Sequence, residues 1–178
     1  SGFIVVCHFC KNLLVENFHV NQEKIDVIPS CLSRVKISNK SKLQKKKNSI
    51  LSVGRLIERK GFHLLIDSVS RLKSNVKNLT LTIIGDGPYK SFLEEIITKN
   101  DAESFIKLLD NVSEESLQKI YMQSELFVLA NHELENGDTE GCPSVFSEAM
   151  LYDLPLVGGK FAGAETAIIN NENGLVVD

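Results

Sequence analysis

The chain has few cysteines, no long apolar run and no large excess of charge, and these absences exclude several classes of protein. Four scattered cysteines in 178 residues are too few for a disulfide scaffold, so we expect reduced thiols. No apolar run approaches the roughly 18 residues that cross a bilayer. The first residues lack the basic and then apolar pattern of a secretion signal, which makes the cytoplasm the expected compartment. A formal net charge of -3 says little about partners, and we expect no nucleic acid among them.

Length and composition fit one soluble domain of the α/β class. A hydrophobic share of 43% and a charged share of 24% are those of a globular protein. Runs with strand and helix periodicity alternate from residue 50 onward, which predicts a parallel sheet with helices on both faces. The predicted strands span 50–53, 79–84, 105–108, 126–129, 154–157 and 175–177, and the helices span 62–73, 89–99, 114–122 and 164–169, with a further one beginning near Pro143. Ligands of such sheets bind beyond the carboxyl ends of the strands.

The segment 140–150 carries two carboxylates with seven residues between them, the second inside a predicted helix. Pro143 suits the first position of that helix, where a missing N–H costs nothing. Helical side chains lean toward the N-terminus, so Glu148 is expected to reach back over Ser144 toward the first turn. Free N–H groups and the helix dipole attract phosphate at that turn. The pattern predicts a phosphate flanked by two polyols, one bound by Glu148 and one facing Glu140, which describes a nucleotide sugar.

A basic loop follows the first predicted strand. Arg55 and Lys60 lie in this loop just past Gly54. Two fixed cations at this place can clamp a diphosphate and stabilise the charge that develops as it leaves. Glu58 and Arg59, between them, are given no role. The loop therefore predicts the site of the leaving group.

Three segments resemble, in order and in spacing, motifs of the retaining glycosyltransferases of group 1, the family 4 type. They are 50–62 (ILSVGRLIERKGF), 81–88 (LTIIGDGP) and 140–150 (EGCPSVFSEAM). The resemblance covers roughly residues 24–178. It implies a two-domain GT-B enzyme with a Rossmann-like parallel sheet in each half, of which this chain carries the C-terminal, donor-binding half.

The resemblance also assigns roles to residues. The catalytic set that it implies is Glu140, Arg55 and Lys60. The donor-nucleotide set is Glu148, Arg55, Lys60, Gly54 and Ser144. In the reaction that it implies, a nucleotide-diphosphate sugar gives its sugar, with retention, to a glycan or lipid-linked acceptor in cell-surface polysaccharide or lipopolysaccharide synthesis. No metal and no cofactor is expected, because Arg and Lys carry the charge for the diphosphate.

The resemblance, together with a shift in composition at residues 34–48, divides the chain into three parts. Residues 1–33 close an N-terminal domain and lead out of it, 34–48 form a lysine-rich linker or loop, and 49–178 form the donor-binding domain, truncated at its C-terminal end. The acceptor pocket would belong to the missing N-terminal domain, so the isolated chain is expected to be inactive. The lysine-rich stretch is either a solvated loop or a peripheral contact to the inner face of a membrane.

Two metal sites are considered and not adopted. Cys7 and Cys10 have the spacing of half a zinc site, yet no second ligand pair follows, and the preceding residues 4–6 resemble a buried strand. Asp138, in a polar insert that is expected to turn tightly at 136–138 and to shape the sugar pocket, lacks a second acid at a suitable spacing for magnesium.

Two alternative functions are weighed against sugar transfer. A nucleotide-sugar 2-epimerase shares the two-domain architecture, but the basic motif ending in Lys60 argues against it. A non-catalytic nucleotide-sugar-binding module is the other, and the presence of all four charged residues of the predicted site argues against that degeneration. An epimerase would convert a nucleotide sugar without any acceptor, so product analysis separates these functions.

Overall fold

The computed structural model describes residues 1–29, 44–110, 112–160 and 163–178. These residues form two parallel β-sheets, one of two strands and one of six. Within the described ranges, no helix is both long and apolar enough to cross a membrane. Residues 30–33 and most of the lysine-rich stretch 34–48 lie outside those ranges, so the division into domains stays a prediction.

The small sheet comes from the first part of the chain. Its elements in chain order are strand β1 (Phe3–Val5), helix α1 (His8–Phe18) and strand β2 (Ile25–Val27). Cys7 caps α1, and its Sγ accepts a hydrogen bond from the Cys10 N–H. The predicted burial of residues 4–6 is wrong, because Ile4 is 71% exposed. An apolar run predicts a strand, but it does not say whether a second layer covers that strand.

The large sheet alternates strands and helices as expected. Its strands are β3 (Ser49–Val53), β4 (Thr80–Ile84), β5 (Ile106–Leu109), β6 (Leu126–Leu129), β7 (Leu156–Gly159) and β8 (Gly174–Val177). The helices are α2 (Phe62–Leu72), α3 (Lys90–Lys99), α4 (Glu114–Gln123), α5 (Ser144–Leu151) and α6 (Ala164–Ala167). Strand β7 begins two residues later than predicted, at the residue after Pro155, which has no N–H for a ladder hydrogen bond.

Apolar side chains from four adjacent strands fill the centre of the large sheet. Leu51, Ile83, Phe127 and Leu156 each have 0% exposure. Burying a side chain of this size stabilises the fold by about 1.5–3 kcal/mol. Because these residues lie on neighbouring strands, they fix the sheet on which the loops of the site are mounted.

Helix α2 packs on the sheet through a face that shares two of its four residues with the predicted one. Its periodicity suggests an inward face of Leu64, Leu65, Val69 and Leu72. The structure instead buries Phe62, Leu65, Ile66 and Val69. These four have the i, i+3, i+4, i+7 spacing of a single helical stripe. Leu64 and Leu72 are 43% and 46% exposed, so the prediction is wrong for both.

The order of the strands identifies where a ligand would bind. All neighbouring strands are parallel, in the order β5-β4-β3-β6-β7-β8. The chain first builds outward from β3 to β5 and then returns to add β6 on the other side of β3. Doubly wound sheets of this kind bind ligands beyond the carboxyl ends of the two strands where the order reverses. Here those strands are β3 and β6, and the loops that leave them are 54–61 and 130–143.

Candidate functional site

The loop after β3 ends in a short 3-10 turn, Glu58–Lys60, that is fixed against the loop after β6. The turn stops at Gly61, whose φ is 66°. A Cβ at Gly61 would stand 1.8 Å from the carbonyl oxygen of Ala130, so glycine is needed both for the backbone angle and for the close approach. The Arg59 carbonyl accepts a hydrogen bond of 3.0 Å from the His132 N–H. The two loops therefore hold each other at the point where the strand order reverses.

The loop after β6 makes a tight turn just ahead of Glu140. Gly137 has a φ of 80°, and its N–H donates to the Leu134 carbonyl at 2.8 Å. The Asp138 N–H donates to Oδ1 of Asn136 at 2.9 Å. The turn expected at 136–138 is confirmed, and it presents Asp138 and Glu140 to the neighbouring basic loop.

Four charged side chains meet between these two loops. Nε of Arg59 lies 2.7 Å from Oε1 of Glu140, and Nζ of Lys60 lies 3.3 Å from the same oxygen. Nη1 of Arg59 also lies 2.9 Å from Oδ2 of Asp138. The hydrogen bond to Glu140, more than any other contact, raises the pKa of the Arg59 guanidinium. The group joins both cations of the 3-10 turn to the first carboxylate of the predicted site.

Glu148 lies on the second turn of α5, half-buried and directed toward the start of the helix. Pro143 takes the N-cap position, so α5 begins at Ser144, one residue later than the sequence suggests. Oγ of Ser144 donates to Oε1 of Glu148 at 3.4 Å, which agrees with the expected lean of this side chain. Phe146 is fully buried beneath the helix and fixes its orientation.

Tyr121 is a residue of the site that the sequence reasoning missed. Its hydroxyl donates to Oε2 of Glu148 at 3.3 Å, across 27 residues of sequence. The ring is 2% exposed and stacks on Tyr152 with centroids 4.9 Å apart. Burial, and then the nearby Glu148 carboxylate, raise the pKa of Tyr121 far above its usual range, so the hydroxyl remains a donor. No local pattern links α4 to α5, and only the packing of the fold brings these side chains together.

Arg55 and Gly54 lie in the same basic loop but outside the group of four charges. The Gly54 N–H donates to the Ile84 carbonyl at 3.0 Å, which attaches the start of the loop to β4. Arg55 is exposed and, in the described part of the chain, forms no salt bridge. An exposed guanidinium at this position can reach an anionic ligand beyond the carboxyl ends of the strands.

Three thiols lie on the other side of the Glu140 loop. Sγ of Cys7 donates to the Gly141 carbonyl at 3.0 Å and lies 3.4 Å from Sγ of Cys10. Burial, and then the neighbouring thiols, raise the pKa of Cys10 to about 11, and burial also raises the pKa of Cys142. All three are free, and no group of three or more His, Cys, Asp or Glu side chains among residues 1–29, 44–110, 112–160 and 163–178 is arranged to hold a metal. Cys7 thus joins the small sheet to the residue that follows Glu140.

Two cavities differ in their position on the sheet. An open cleft of about 380 Å³ is lined by Glu58 and residues 132–136, next to the group of four charges. A second cavity, of about 260 Å³, lies along β5 and the amino ends of β3 and β4, where Ser49 and Thr80 line it. Ligands of doubly wound sheets bind at the carboxyl ends of the strands, which favours the cleft as part of the site.

The predicted site residues form two contacting groups in the structure. Lys60 contacts Glu140, and Ser144 contacts Glu148. Arg59, to which the sequence reasoning gave no role, approaches Glu140 more closely than Lys60 does. Two features of the sequence were available as signals for this contact. Asp138 is an acid two residues before Glu140, and Arg59 is a cation beside Lys60.

Comparison with known proteins identifies the family. The model described as glycosyl transferases group 1 matches residues 33–178, and the chain belongs to this family. It is 33% identical over 125 residues to the amylovoran biosynthesis glycosyltransferase AmsK of Erwinia amylovora, which covers 70% of this chain and 31% of that protein. It is 27% identical over 130 residues to a GDP-mannose-dependent alpha-(1-6)-phosphatidylinositol monomannoside mannosyltransferase of Mycolicibacterium smegmatis, covering 72% of this chain and 34% of that protein.

A solved structure confirms the fold class. The pneumococcal O-GlcNAc transferase GtfA, in complex with UDP and GlcNAc, superposes with a TM-score of 0.80 at 29% identity, over 99% of this chain and 34% of that one. The expected α/β fold, a parallel sheet flanked by helices as in GT-B glycosyltransferases, is therefore confirmed. The chain spans about a third of the length of the relatives that it matches.

Proposed function

We propose that this chain is the donor-binding part of a retaining glycosyltransferase. The observation that carries the proposal is the contact of Lys60 with Glu140, 3.3 Å apart beyond the carboxyl ends of β3 and β6. A cation suited to a diphosphate and a carboxylate suited to sugar hydroxyls stand side by side there. The family, and the UDP and GlcNAc held by the pneumococcal relative, support the same assignment.

Each residue of the site has a separate task in this proposal. Lys60 and Arg55 hold the diphosphate, and the Gly54 backbone lies beside it. The phosphate nearest the nucleoside lies at the first turn of α5, at Ser144, where N–H groups and the helix dipole favour an anion. Glu148 accepts hydrogen bonds from the ribose hydroxyls. The Tyr121 hydroxyl holds Glu148 in place for that purpose.

The proposed reaction exchanges one bond of the sugar for another on the same face. The bond from the anomeric carbon to the diphosphate breaks, a bond to the acceptor oxygen forms, and the acceptor's proton passes to the departing diphosphate. Glu140 orients the sugar and stabilises the positive charge that develops on it. Lys60 and Arg55 stabilise the negative charge of the leaving group, so the proposal requires no divalent metal.

A second domain would supply the binding site for the acceptor. The relatives are named for amylovoran biosynthesis and for transfer to a phosphatidylinositol mannoside, which supports a glycan or lipid-linked acceptor here. Cell-surface polysaccharide or lipopolysaccharide synthesis is the setting that we propose. Attack requires an acceptor hydroxyl about 3 Å from the anomeric carbon in a closed, dry site, which the donor half alone does not form.

Isothermal titration of the chain with UDP and GDP in excess EDTA tests the nucleotide site. We expect at least one of them to bind without metal, and Lys60→Gln to weaken that binding by about tenfold to a hundredfold, since a charged hydrogen bond is lost. Lys119→Gln is the matched control, because the salt bridge of Lys119 within the described residues is an exposed pair with Glu115 on α4. Failure of both nucleotides to bind, or binding that appears only after magnesium is restored, would contradict the proposal.

A transfer assay tests the proposed second domain. The chain alone, incubated with a nucleotide sugar and a pool of glycan and lipid-linked acceptors, should transfer no sugar, whereas a two-domain protein that contains it should. Transfer by the chain alone at a comparable rate would place the acceptor site within these 178 residues.

A further inference from the structure

Glu140 is held by two cations, and the proposed function gives one of them another task. Both contacts, at 2.7 Å from Nε of Arg59 and at 3.3 Å from Nζ of Lys60, end on Oε1. In the proposed function, on which this reasoning rests, Lys60 binds the donor diphosphate. A diphosphate carries more negative charge than one carboxylate, so it competes with Glu140 for the ammonium group. Arg59 is then the cation that remains on Glu140.

The negative charge of the Glu140 carboxylate needs a neighbouring cation to compensate it. Its side chain is only 13% exposed, so water compensates its charge poorly. A bound diphosphate would add further negative charge nearby and would repel an unpaired carboxylate. Arg59 already makes the shorter of the two contacts. It can hold the Glu140 carboxylate in place while the donor is bound.

Arg59 is itself fixed from the far side by Asp138. Its Nη1 lies 2.9 Å from Oδ2 and 3.2 Å from Oδ1 of that carboxylate. The hydrogen bond between the Asp138 N–H and Asn136 holds the carboxylate in the turn, and the His132 N–H holds the Arg59 carbonyl. A planar guanidinium can bridge two carboxylates in a defined geometry, which the compact ammonium group of lysine does not do.

We infer that Arg59 and Asp138 are positioning residues of the donor-sugar site. Asp138 orients Arg59, and Arg59 holds the Glu140 carboxylate by Oε1 after Lys60 has turned to the diphosphate. Within the described residues the ion-pair contacts of Glu140 all end on Oε1, which leaves Oε2 for a sugar hydroxyl. Neither Arg59 nor Asp138 needs to touch the donor for this purpose.

The test compares turnover with nucleotide binding in the two-domain enzyme. Arg59→Gln should lower kcat by about tenfold to a hundredfold, the effect of one charged hydrogen bond, while the Kd for UDP or GDP stays within about threefold of wild type. Arg59→Lys keeps the charge and should recover part of kcat. Arg71→Gln, an exposed arginine on α2, is the matched control and should leave both quantities unchanged.

Asp138 is tested through Arg59 in a double-mutant cycle. Asp138→Asn should lower kcat several-fold in the wild-type background and have no further effect when Arg59 is already glutamine, because it acts only through that residue. Asp138 is 46% exposed, so this variant is not expected to affect folding, and a melting curve checks both variants.

Three results would overturn the inference. Arg59→Gln could weaken nucleotide binding as much as Lys60→Gln does, which would make Arg59 a ligand of the diphosphate. It could leave kcat unchanged, or the effect of Asp138→Asn could be equal in both backgrounds. Failure of the wild-type protein to bind UDP or GDP, or an unchanged kcat in Glu140→Gln, would instead overturn the proposed function, and this inference with it.

Discussion

Replacing Tyr121 with phenylalanine removes one oxygen atom from the proposed ribose site and leaves the aromatic packing in place. The ring stacks on Tyr152 at 4.9 Å and lies parallel to Phe127 at 6.2 Å, and phenylalanine keeps both contacts. What is lost is the hydrogen bond of 3.3 Å to Oε2 of Glu148. The variant therefore isolates the support that α4 gives to this carboxylate.

The expected magnitude follows from the geometry of that hydrogen bond. A hydrogen bond to a charged group contributes about 1.5–3 kcal/mol, and a contact as long as 3.3 Å belongs at the lower end. About 1.4 kcal/mol corresponds to a tenfold change in affinity. Because Glu148 is half-buried and keeps its contact with Ser144, the free energy of nucleotide binding should fall by only part of this amount. We expect the Kd for UDP or GDP to rise by about threefold to tenfold.

Isothermal titration of Tyr121→Phe, Glu148→Gln and Tyr152→Phe provides the measurement. Tyr152→Phe is the control, because Tyr152 belongs to the same ring stack and its hydroxyl makes no hydrogen bond to Glu148 within the described residues. It should bind like wild type. The reasoning is refuted if Tyr121→Phe binds normally while Glu148→Gln is weakened, or if both tyrosine variants lose affinity equally.

Three further predictions concern other residues. Glu148→Ala should weaken nucleotide binding by about tenfold to a hundredfold, whereas Glu140→Ala should leave that binding nearly intact while turnover of the two-domain enzyme collapses; equal binding losses would contradict the division of roles. Gly61→Ala should lower the free energy of unfolding by about 2–4 kcal/mol, because alanine disfavours the left-handed backbone and its Cβ would clash with Ala130. An unchanged urea midpoint would show that the two loops can move apart at this point without loss of stability. Because burial raises the pKa of Cys10 from 9.0 to about 11, its alkylation by iodoacetamide at pH 9 should be about fivefold to fiftyfold slower than that of an ordinary thiol. Since the folded state holds this proton more tightly, stability should fall as pH rises from about 9 to 11. Alkylation of Cys10 at the ordinary rate would contradict the raised pKa of its thiol.

The secondary structure could be predicted because its signals are local. Alternating apolar runs and their breakers located all six strands of the large sheet, and the helix predicted at 114–122 forms as α4. The lean of Glu148 back toward Ser144 likewise follows from helix geometry alone. The exposure of Leu64 could not be predicted, because the apolar residues of α2 fit more than one helical stripe. Which stripe is buried depends on what the helix contacts.

The contacts of Arg59 and Tyr121 could not be predicted in the same way. Each depends on two segments that are far apart in the chain and meet only after the sheet has formed. Arg59 reaches Glu140 across 81 residues because β3 and β6 are neighbours in the sheet. The sequence shows Arg59 beside Lys60 and a second acid near Glu140, but it does not show that the two loops meet, so the strand order had to be known first.

The hydrogen bond from Cys7 to Gly141 connects the small sheet to the segment that carries Glu140. Cys7 begins α1, and Gly141 follows Glu140 directly, so the bond of 3.0 Å spans the two sheets one residue from the first carboxylate. A Cβ at Gly163, whose φ is 63°, would stand 2.2 Å from the Gly141 carbonyl oxygen and 3.0 Å from the Cys7 sulfur, so three segments converge on this point. Any rotation of the small sheet away from the large one must either break this bond or pull the backbone beside Glu140 with it. The position of Glu140 is thereby tied to the angle between the two sheets.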